Sequence, residues 1–218
     1  MIRSRRSFAW SLVLALLCAS FVTAQQPPTV VQAAGKVFTV TTTSDTFADP
    51  SDTCSATTDP NNPPGCTLRT ALNAANLAGN AGSTVEFEIQ RNDIGYTNFA
   101  TTGHDAWIIT PTLALPPLLN DGILVTGATQ TNRVGNDNND GAEIIIDGKN
   151  VTNAGGLWLQ SNGNTVAGIG IINFRAGGSP GTLKGVGIEI SGNNNTIQGN
   201  YIGLGVTSTG TVAVPNLD

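Results

Sequence analysis

The sequence predicts an all-β protein that folds as a solenoid, a parallel β-helix, with one short helix near its N-terminus. The 218 residues include 28 Thr, 22 Asn and 26 Gly, residue types that favour strands and turns over helices. The chain also repeats internally, because residues 156–171 align with residues 187–202 at an offset of 31, with six of sixteen positions identical. A repeat of this length, built from short apolar runs and Asn/Gly turns, is typical of a solenoid.

The charge of the chain limits the classes of partner. Ten Lys and Arg stand against fifteen Asp and Glu, which gives a net charge of −5, and charged residues make up only 11% of the chain. Nucleic acid and anionic membrane surfaces are bound by clustered basic residues, so both are excluded as partners. The single histidine, His104, excludes a metal site with several histidine ligands.

Residues 1–24 have the pattern of an export signal. Three arginines in the first six positions form a basic start, residues 9–22 are apolar, and small residues precede the expected cleavage after Ala24. The apolar run is short for a membrane span, so we expect no transmembrane segment after cleavage; a retained membrane helix is the alternative. General secretory and twin-arginine export both stay open. The mature protein is predicted to be secreted, extracellular or at the cell surface, with residues 25–35 as a flexible leader.

Residues 36–83 are predicted to form an N-terminal cap made of a strand, a disulfide loop and a helix. Residues 36–43 alternate apolar and polar side chains, which favours a strand. Cys54 and Cys66 enclose a loop rich in Pro, Asn and Asp, and a cysteine pair in an exported protein predicts a disulfide. A two-cysteine metal site is the alternative, but the neighbouring sequence offers no further ligand.

One helix is expected directly after Cys66. Thr67 is the predicted N-cap, and Gly79 is expected to close the helix as its C-terminal cap. Between them, apolar side chains recur at the spacing i, i+3, i+4 and i+7, which predicts a narrow apolar stripe along one face. The four stripe positions are Leu68, Ala71, Leu72 and Ala75.

Residues 84–218 are predicted to form the coils of the solenoid. Successive coils of a parallel β-helix lie about 4.8 Å apart, so equivalent side chains of the repeat stack directly above each other. The expected stacks are Ile188 on Leu157, Ile190 on Leu159, and Asn195 on Asn164. The aliphatic stacks fill the interior, and the asparagine stack has a structural role as an amide ladder that satisfies backbone groups of the turns. A β-propeller has a similar period but expects paired antiparallel strands, and a sandwich does not repeat internally.

The motif at the start of the helix resembles a known family. Residues 66–72, Cys-Thr-Leu-Arg-Thr-Ala-Leu, are similar to the Cys-Ser-Leu-Arg-Glu-Ala-Ile motif of the CSLREA domain. Three further segments resemble the β-helix of that family, namely residues 115–118, 146–148 and 195–203. The resemblance implies a right-handed, pectin-lyase-like parallel β-helix in an exported bacterial protein, with the helix covering the N-terminal end of the coils. Thr70 stands where the motif has Glu, which removes one potential partner of Arg69, a residue to which we assign a structural role.

Exported β-helices often bind or cleave acidic polysaccharides, which makes a polysaccharide lyase or a glycoside hydrolase the enzymatic alternative. A lyase needs carboxylates for Ca²⁺ and a basic residue, whereas a hydrolase needs two or three acids on one face. Acids are sparse in the repeat region, where Glu143, Asp147 and Glu189 are the only ones between residues 142 and 217. We expect Glu143 and Asp147 to share an outer strand face as solvated charges.

Residues 136–141, Asn-Asp-Asn-Asn-Asp-Gly, resemble a calcium loop, with Asp147 six residues further on. The candidate ligands are Asn136, Asn138, Asp140 and Asp147. Ca²⁺ is the one cofactor this pattern suggests, and an ordinary polar turn is the alternative. His104 and Asp105 are adjacent in the sequence, but no nucleophile motif accompanies them, so a catalytic dyad is not expected.

Trp158 and Glu189 are the candidate binding residues. Because Leu157 and Leu159 match the inward positions of the repeat, Trp158 should point outward beside Glu189. An exposed tryptophan next to a carboxylate on a rigid sheet forms a sugar platform, in which the ring stacks and the acid accepts hydroxyl hydrogen bonds. The alternative is that Trp158 packs beneath the loop at residues 175–185.

The sequence therefore favours a non-catalytic, exported β-helix module for adhesion or glycan contact, with a polysaccharide or cell-surface glycan as its partner. The alternative function is a pectate-lyase-like polysaccharide lyase or hydrolase whose catalytic coils are absent or unrecognised. Another strand is expected at the end of the chain, and the sequence shows no capping helix there. We therefore expect either a fragment or a chain whose open C-terminal end pairs with further coils or with another subunit.

Overall fold

Most of the regular secondary structure is strand in the protein, a computed structural model that describes residues 35–45, 54, 65–99, 103–176 and 185–217. The predicted signal peptide and all but the last residue of the predicted leader lie outside the described residues. In chain order the described strands are β1 Val37–Val40, β2 Thr84–Phe87, β3 Trp107–Ile109, β4 Leu124–Thr126, β5 Ile144–Asp147, β6 Leu157–Leu159, β7 Thr165–Ala167, β8 Ile169–Ile172, β9 Ile188–Ile190, β10 Thr196–Gln198, β11 Tyr201–Ile202, β12 Leu204–Thr207 and β13 Gly210–Ala213. The described helices are α1 Leu68–Ala75, α2 Ala128–Arg133 and the 3-10 helix Gly148–Asn150. The prediction that strands dominate and helices are few is confirmed.

The strands form three parallel sheets that the chain visits in turn. One sheet has the order β1-β2-β4-β7-β10, the second has the order β11-β8-β5-β3, and the third pairs β6 with β9. All pairings within these sheets are parallel. The chain passes through β6, β7 and β8 and then through β9, β10 and β11 in the same sheet order. Each strand of the second set pairs with its counterpart in the first set.

The strand register follows the predicted repeat. Leu157 pairs with Ile188, Thr165 with Thr196 and Ile171 with Ile202, each at an offset of 31 residues. The preceding turn of chain is longer, because Leu124 pairs with Thr165 at an offset of 41. Residues 127–143 separate β4 from β5, whereas one glycine, Gly168, separates β7 from β8. This insertion hides the earlier repeat from a sequence alignment at fixed period.

The core lies between the three sheets and consists of aliphatic columns that run through successive strands. In the first sheet, Phe38 pairs with Val85, Val85 with Val125, and Val125 with Val166. These four side chains are buried. Full burial of one such side chain contributes roughly 1.5–3 kcal/mol, so the columns are the main source of stability.

Helix α1 begins as the sequence predicts but ends earlier. Thr67 is the N-cap, and its hydroxyl oxygen accepts a hydrogen bond from the backbone N–H of Thr70 at 3.1 Å. All four predicted stripe residues are buried in the core. The predicted C-terminal cap at Gly79 is wrong, because the helix ends at Ala75 and its C-cap is Asn76. Gly79 lies in the following turn, where its φ of +83° requires a residue that tolerates the left-handed region.

The disulfide predicted between Cys54 and Cys66 is present, with the two Cα atoms 5.3 Å apart. Both cysteines are buried in the same core cluster as α1. Closing a loop of this length contributes roughly 3 kcal/mol in the chain-entropy model. The bond therefore joins Cys54 to the residue directly before the N-cap of α1.

Helix α2 was not expected from the sequence, because its residues show no apolar period. Gln130 is its buried side chain, and the Gln130 amide makes backbone hydrogen bonds of the kind that a neighbouring strand would make. Its Oε1 accepts a hydrogen bond from the backbone N–H of Ile89 at 2.8 Å, and its Nε2 donates to the carbonyl of the same residue at 2.7 Å. A single amide thus satisfies the backbone of the segment after β2.

The antiparallel hairpin of β12 and β13 covers the outer face of the second sheet. Val206 and Val214 pack against a small apolar cluster that includes Ile145 and Ile172. Ile145 points away from the main core but is still buried. Ile145, on the outer face of β5, is therefore protected from solvent.

Candidate functional site

Trp158 lies on the outer face of the third sheet. Its neighbours Leu157 and Leu159 are buried in the core, whereas Trp158 is half-buried, as alternation along β6 requires. Trp158 pairs in register with Glu189. The indole Nε1 donates a hydrogen bond to the Ser191 hydroxyl at 3.0 Å, which fixes the orientation of the ring.

The outer face extends beyond these residues. Leu118 pairs with Leu159 in a parallel bridge, so the register places Pro117 beside Trp158 and Leu119 beside Gln160. We call this surface the β6 face; its residues are Pro117, Leu119, Trp158, Gln160, Glu189 and Ser191. Leu119 is 55% exposed, and the other members lie at least partly in solvent. The β6 face thus combines apolar surface, an aromatic ring, an amide, a hydroxyl and a single carboxylate.

Arg69 joins α1 to the segment after β1 and to the segment after β3. Its guanidinium donates to both carboxylate oxygens of Asp45, each at 2.9 Å. It also donates to the backbone carbonyls of Leu113 and Ala114. Both charged side chains are buried. Thr70 stands where a glutamate partner for Arg69 was considered. The carboxylate that pairs with Arg69 is instead that of Asp45, 24 residues earlier in the chain.

The asparagine stack forms a ladder through side-chain oxygens and backbone donors. Asn195 Oδ1 accepts a hydrogen bond from the backbone N–H of Asn164 at 2.7 Å. Asn164 Oδ1 in turn accepts from the N–H of Ile123 at 2.9 Å. Each asparagine thus satisfies a backbone donor in the preceding turn of chain, which gives both residues a structural role.

The four predicted calcium ligands have different protein partners. Asn136 donates to Asn139 Oδ1, while Asn138 donates through Nδ2 to the carbonyl of Ala142. Asp140 lies 3.1 Å from the His104 imidazole. Asp147 caps the 3-10 helix and contacts both Lys149 and Asn173. Within the described ranges, no three His, Cys, Asp or Glu side chains are grouped as metal ligands.

Glu143 and Asp147 are buried, so the expectation that they are solvated charges is wrong. Asp147 is the last residue of β5 and Glu143 directly precedes that strand, with Ile145 between them. Burial raises the pKa of Glu143 to about 7. Its Oε1 accepts hydrogen bonds from the backbone N–H groups of Asp137 and Asn138, which oppose the rise. Its Oε2 has no hydrogen-bond donor among the described residues.

A polar network beside Glu143 was not found from the sequence. Arg91 donates to both carboxylate oxygens of Asp137, and these hydrogen bonds lower the pKa of Asp137. Tyr96 donates to the same carboxylate at 3.0 Å, and burial raises the Tyr96 pKa to about 12. Arg91 and Asp137 are 46 residues apart, and no local motif links residues at that separation.

His104 and Asp105 do not form a pair. Asp105 is buried and accepts hydrogen bonds from the Thr97 hydroxyl and the backbone N–H of Phe99. His104 lies instead beside the exposed side of Asp140. The structure thus gives the two neighbouring residues separate partners.

Comparison of the chain with protein-family models, with curated proteins and with solved structures finds no match. Among the helices in the described ranges, none is long and apolar enough to cross a membrane. The longest of them, α1, has eight residues.

Proposed function

We propose that the chain is an exported, right-handed parallel β-helix module of the CSLREA, pectin-lyase-like kind, secreted or held at the cell surface. Its parallel sheets, entered in the same order by β6–β8 and β9–β11, support a solenoid. The asparagine ladder between successive turns is what such stacking requires. Right-handed crossovers between parallel strands are the general rule, which agrees with the handedness implied by the sequence motif.

The proposed function is non-catalytic contact with a glycan through the β6 face. The observation that carries it is Trp158, half-exposed on a strand face, in register with Glu189 and oriented by Ser191. A sugar ring presents an apolar face of C–H groups, which stacks on an indole, and a rim of hydroxyls, which donate to a carboxylate. Short strands in a paired sheet hold these groups rigidly, so little ordering entropy opposes binding.

The charge of the β6 face favours uncharged sugars. Glu189 is its one charged member, and a carboxylate repels the uronate groups of pectin or alginate. Arg69, Arg91 and Arg133 each pair with a carboxylate elsewhere in the structure and do not face this surface's ligand. We therefore expect a neutral polysaccharide as the ligand, recognised weakly at each site and more tightly by repeated contacts.

The substitution Trp158→Ala tests this proposal. We expect it to abolish binding to a glycan array of neutral polysaccharides, because the stacking ring is lost while the buried faces of β6 remain. Tyr201→Ala, which removes a partly exposed aromatic ring from another sheet, is the matched control and should bind normally. Binding by Trp158→Ala at the level of the unaltered chain would contradict the proposal. An absorbance assay for unsaturated uronate products on pectin and alginate, with and without Ca²⁺, tests the lyase alternative on the same samples.

A further inference from the structure

A row of exposed polar side chains lies beside the β6 face. Asp121, Asn162 and Asn193 are all exposed and occupy equivalent turns in three successive passages of the chain. The backbone N–H of Asn162 donates to Asp121 Oδ1 at 2.7 Å, and the N–H of Asn193 donates to Asn162 Oδ1 at 2.8 Å. Their offsets of 41 and 31 residues match the register of the β6 face itself. We call these three residues the corner row.

The corner row is close enough to Trp158 for one oligosaccharide to contact both. Asn162 follows Trp158 by four residues, and Asp121 follows Pro117, the neighbour of Trp158, by the same number. A fully extended chain spans at most about 3.6 Å per residue, so the Cα atoms of Trp158 and Asn162 lie within about 14 Å of each other. The polar row thus continues the surface on which the indole ring lies.

Two members of the corner row keep hydrogen-bonding groups that no described residue uses. Asp121 Oδ1 accepts from the backbone N–H of Asn162 and, at 3.4 Å, from its Nδ2. Asp121 Oδ2 accepts from no group in the described ranges, and the second amide hydrogen of Asn162 has no acceptor there. A carboxylate oxygen and an amide donor are therefore available side by side. A hydroxyl group donates one hydrogen bond and accepts others, so a sugar hydroxyl can bond to both.

The hydrogen bonds of the corner row orient its side chains and are not needed to satisfy buried backbone. Asn164, in the other asparagine ladder, is 0% exposed and serves the buried N–H of Ile123. Asn162 is exposed instead, and water can bond to an exposed N–H. What the contact with Asp121 adds is a fixed orientation of both side chains. Side chains held in place before a ligand arrives lose little entropy on binding.

We propose that Asp121 and Asn162 form a second subsite for the glycan, an inference that rests on the proposed function of the β6 face. The subsite takes the sugar next to the one stacked on Trp158 and requires a free hydroxyl on it. That hydroxyl donates to Asp121 Oδ2 and accepts from Asn162 Nδ2. Carboxylates at both subsites, Asp121 and Glu189, repel uronates. The ligand class is therefore a neutral oligosaccharide whose hydroxyls are unsubstituted.

Titration calorimetry with cellohexaose and mannohexaose tests the second subsite. Asp121→Asn keeps an oxygen for the Asn162 N–H but replaces Oδ2 with a donor. We expect it to raise the dissociation constant about tenfold, since a hydrogen bond to a charged group is lost. Asp140→Asn is the matched control, because it makes the same change at a carboxylate that is 51% exposed on the approach to β5. It should bind like the unaltered chain.

O-methylated forms of the same hexasaccharides separate ligand contact from a role in turn structure. Methylation removes the hydroxyl hydrogen that donates to Asp121 Oδ2. The unaltered chain should therefore bind the methylated sugars more weakly than the free ones, and Asp121→Asn should lose about tenfold of this discrimination. A residue that only shapes the turn would leave the discrimination unchanged. Circular dichroism and thermal unfolding check that each variant is folded.

Trp158→Ala distinguishes failure of the second subsite from failure of the proposed function. If the unaltered chain binds neither hexasaccharide, or if Trp158→Ala binds as the unaltered chain does, the proposed function is wrong and the second subsite falls with it. If Trp158→Ala abolishes binding but Asp121→Asn binds normally, glycan contact stands and the second subsite is wrong. The same holds if Asp121→Asn keeps the full discrimination against methylated sugars.

Discussion

Arg69 and Arg91 are each paired with an aspartate through two hydrogen bonds, but they lie in different surroundings. The Arg69 side chain is 8% exposed and its partner Asp45 is 4% exposed, whereas the Arg91 side chain is 49% exposed. Breaking a buried pair leaves an uncompensated charge in the interior, which costs far more than losing a surface pair. The two arginines therefore provide a matched test of what burial adds to an ion pair.

We expect Arg69→Ala to lower the free energy of unfolding by about 3–5 kcal/mol. The buried Asp45 carboxylate and two backbone carbonyls would lose the guanidinium from which they accept hydrogen bonds. Arg91→Ala should cost up to about 1 kcal/mol, since water replaces its hydrogen bonds. Urea denaturation with the disulfide intact measures both values. Equal losses in the two variants would show that Arg69 does not have the structural role assigned to it.

Glu143 should make stability depend on pH. Its pKa rises from 4.5 to about 7 on folding, so between these values the folded protein holds a proton that the unfolded chain has released. The stabilisation is fully present below about pH 4.5 and is lost as the pH rises through about 7, a change of about 3 kcal/mol.

Glu143→Gln mimics the protonated side chain and keeps an oxygen for the two backbone donors. We expect it to remove this decline in stability between pH 5 and pH 7 and to stabilise the protein at pH 8. Thermal unfolding across that range measures the effect. Glu88→Gln, on an exposed side chain, should retain the decline because Glu143 is still present. A decline of the same size in Glu143→Gln would contradict the assignment.

At the scale of single elements, α1 could be predicted from its own residues, whereas α2 could not. Helix α1 was found because its cap and its apolar stripe are local patterns, and both are present at Thr67 and the buried stripe residues. Helix α2 was missed because Gln130 is stabilised by Ile89, 41 residues away. A short helix supported by a distant contact leaves no periodic trace in its own residues.

Removing the cap should weaken α1 specifically. Thr67→Ala deletes the hydroxyl that accepts from the Thr70 N–H, and we expect a loss of about 1 kcal/mol in the free energy of unfolding. Thr67→Ser keeps the hydroxyl and should lose less than half of that amount. Chemical denaturation of the three proteins measures the difference. Equal losses for alanine and serine would show that packing of the threonine methyl group, not the cap, matters here.

At the scale of the whole molecule, the repeat explains how the core is built. Stacking at an offset of 31 places Ile188 over Leu157 and Ile190 over Leu159, so each passage of chain buries the one before it. The earlier offset of 41 between β4 and β7 shows that insertions at the corners are tolerated as long as the strand register is kept.

The sequence by itself determined the strand-rich class, the register of the two repeated segments, the start of α1 and the Cys54–Cys66 disulfide. These features depend on local alternation, capping and self-similarity, which are visible in the order of the residues. The tertiary structure alone decided that Asp45 is the partner of Arg69 and that Glu143 is buried. It also placed Pro117 beside Trp158 and Leu119 beside Gln160. Such contacts join residues far apart in the chain, and their energies depend on burial, which no short sequence pattern encodes.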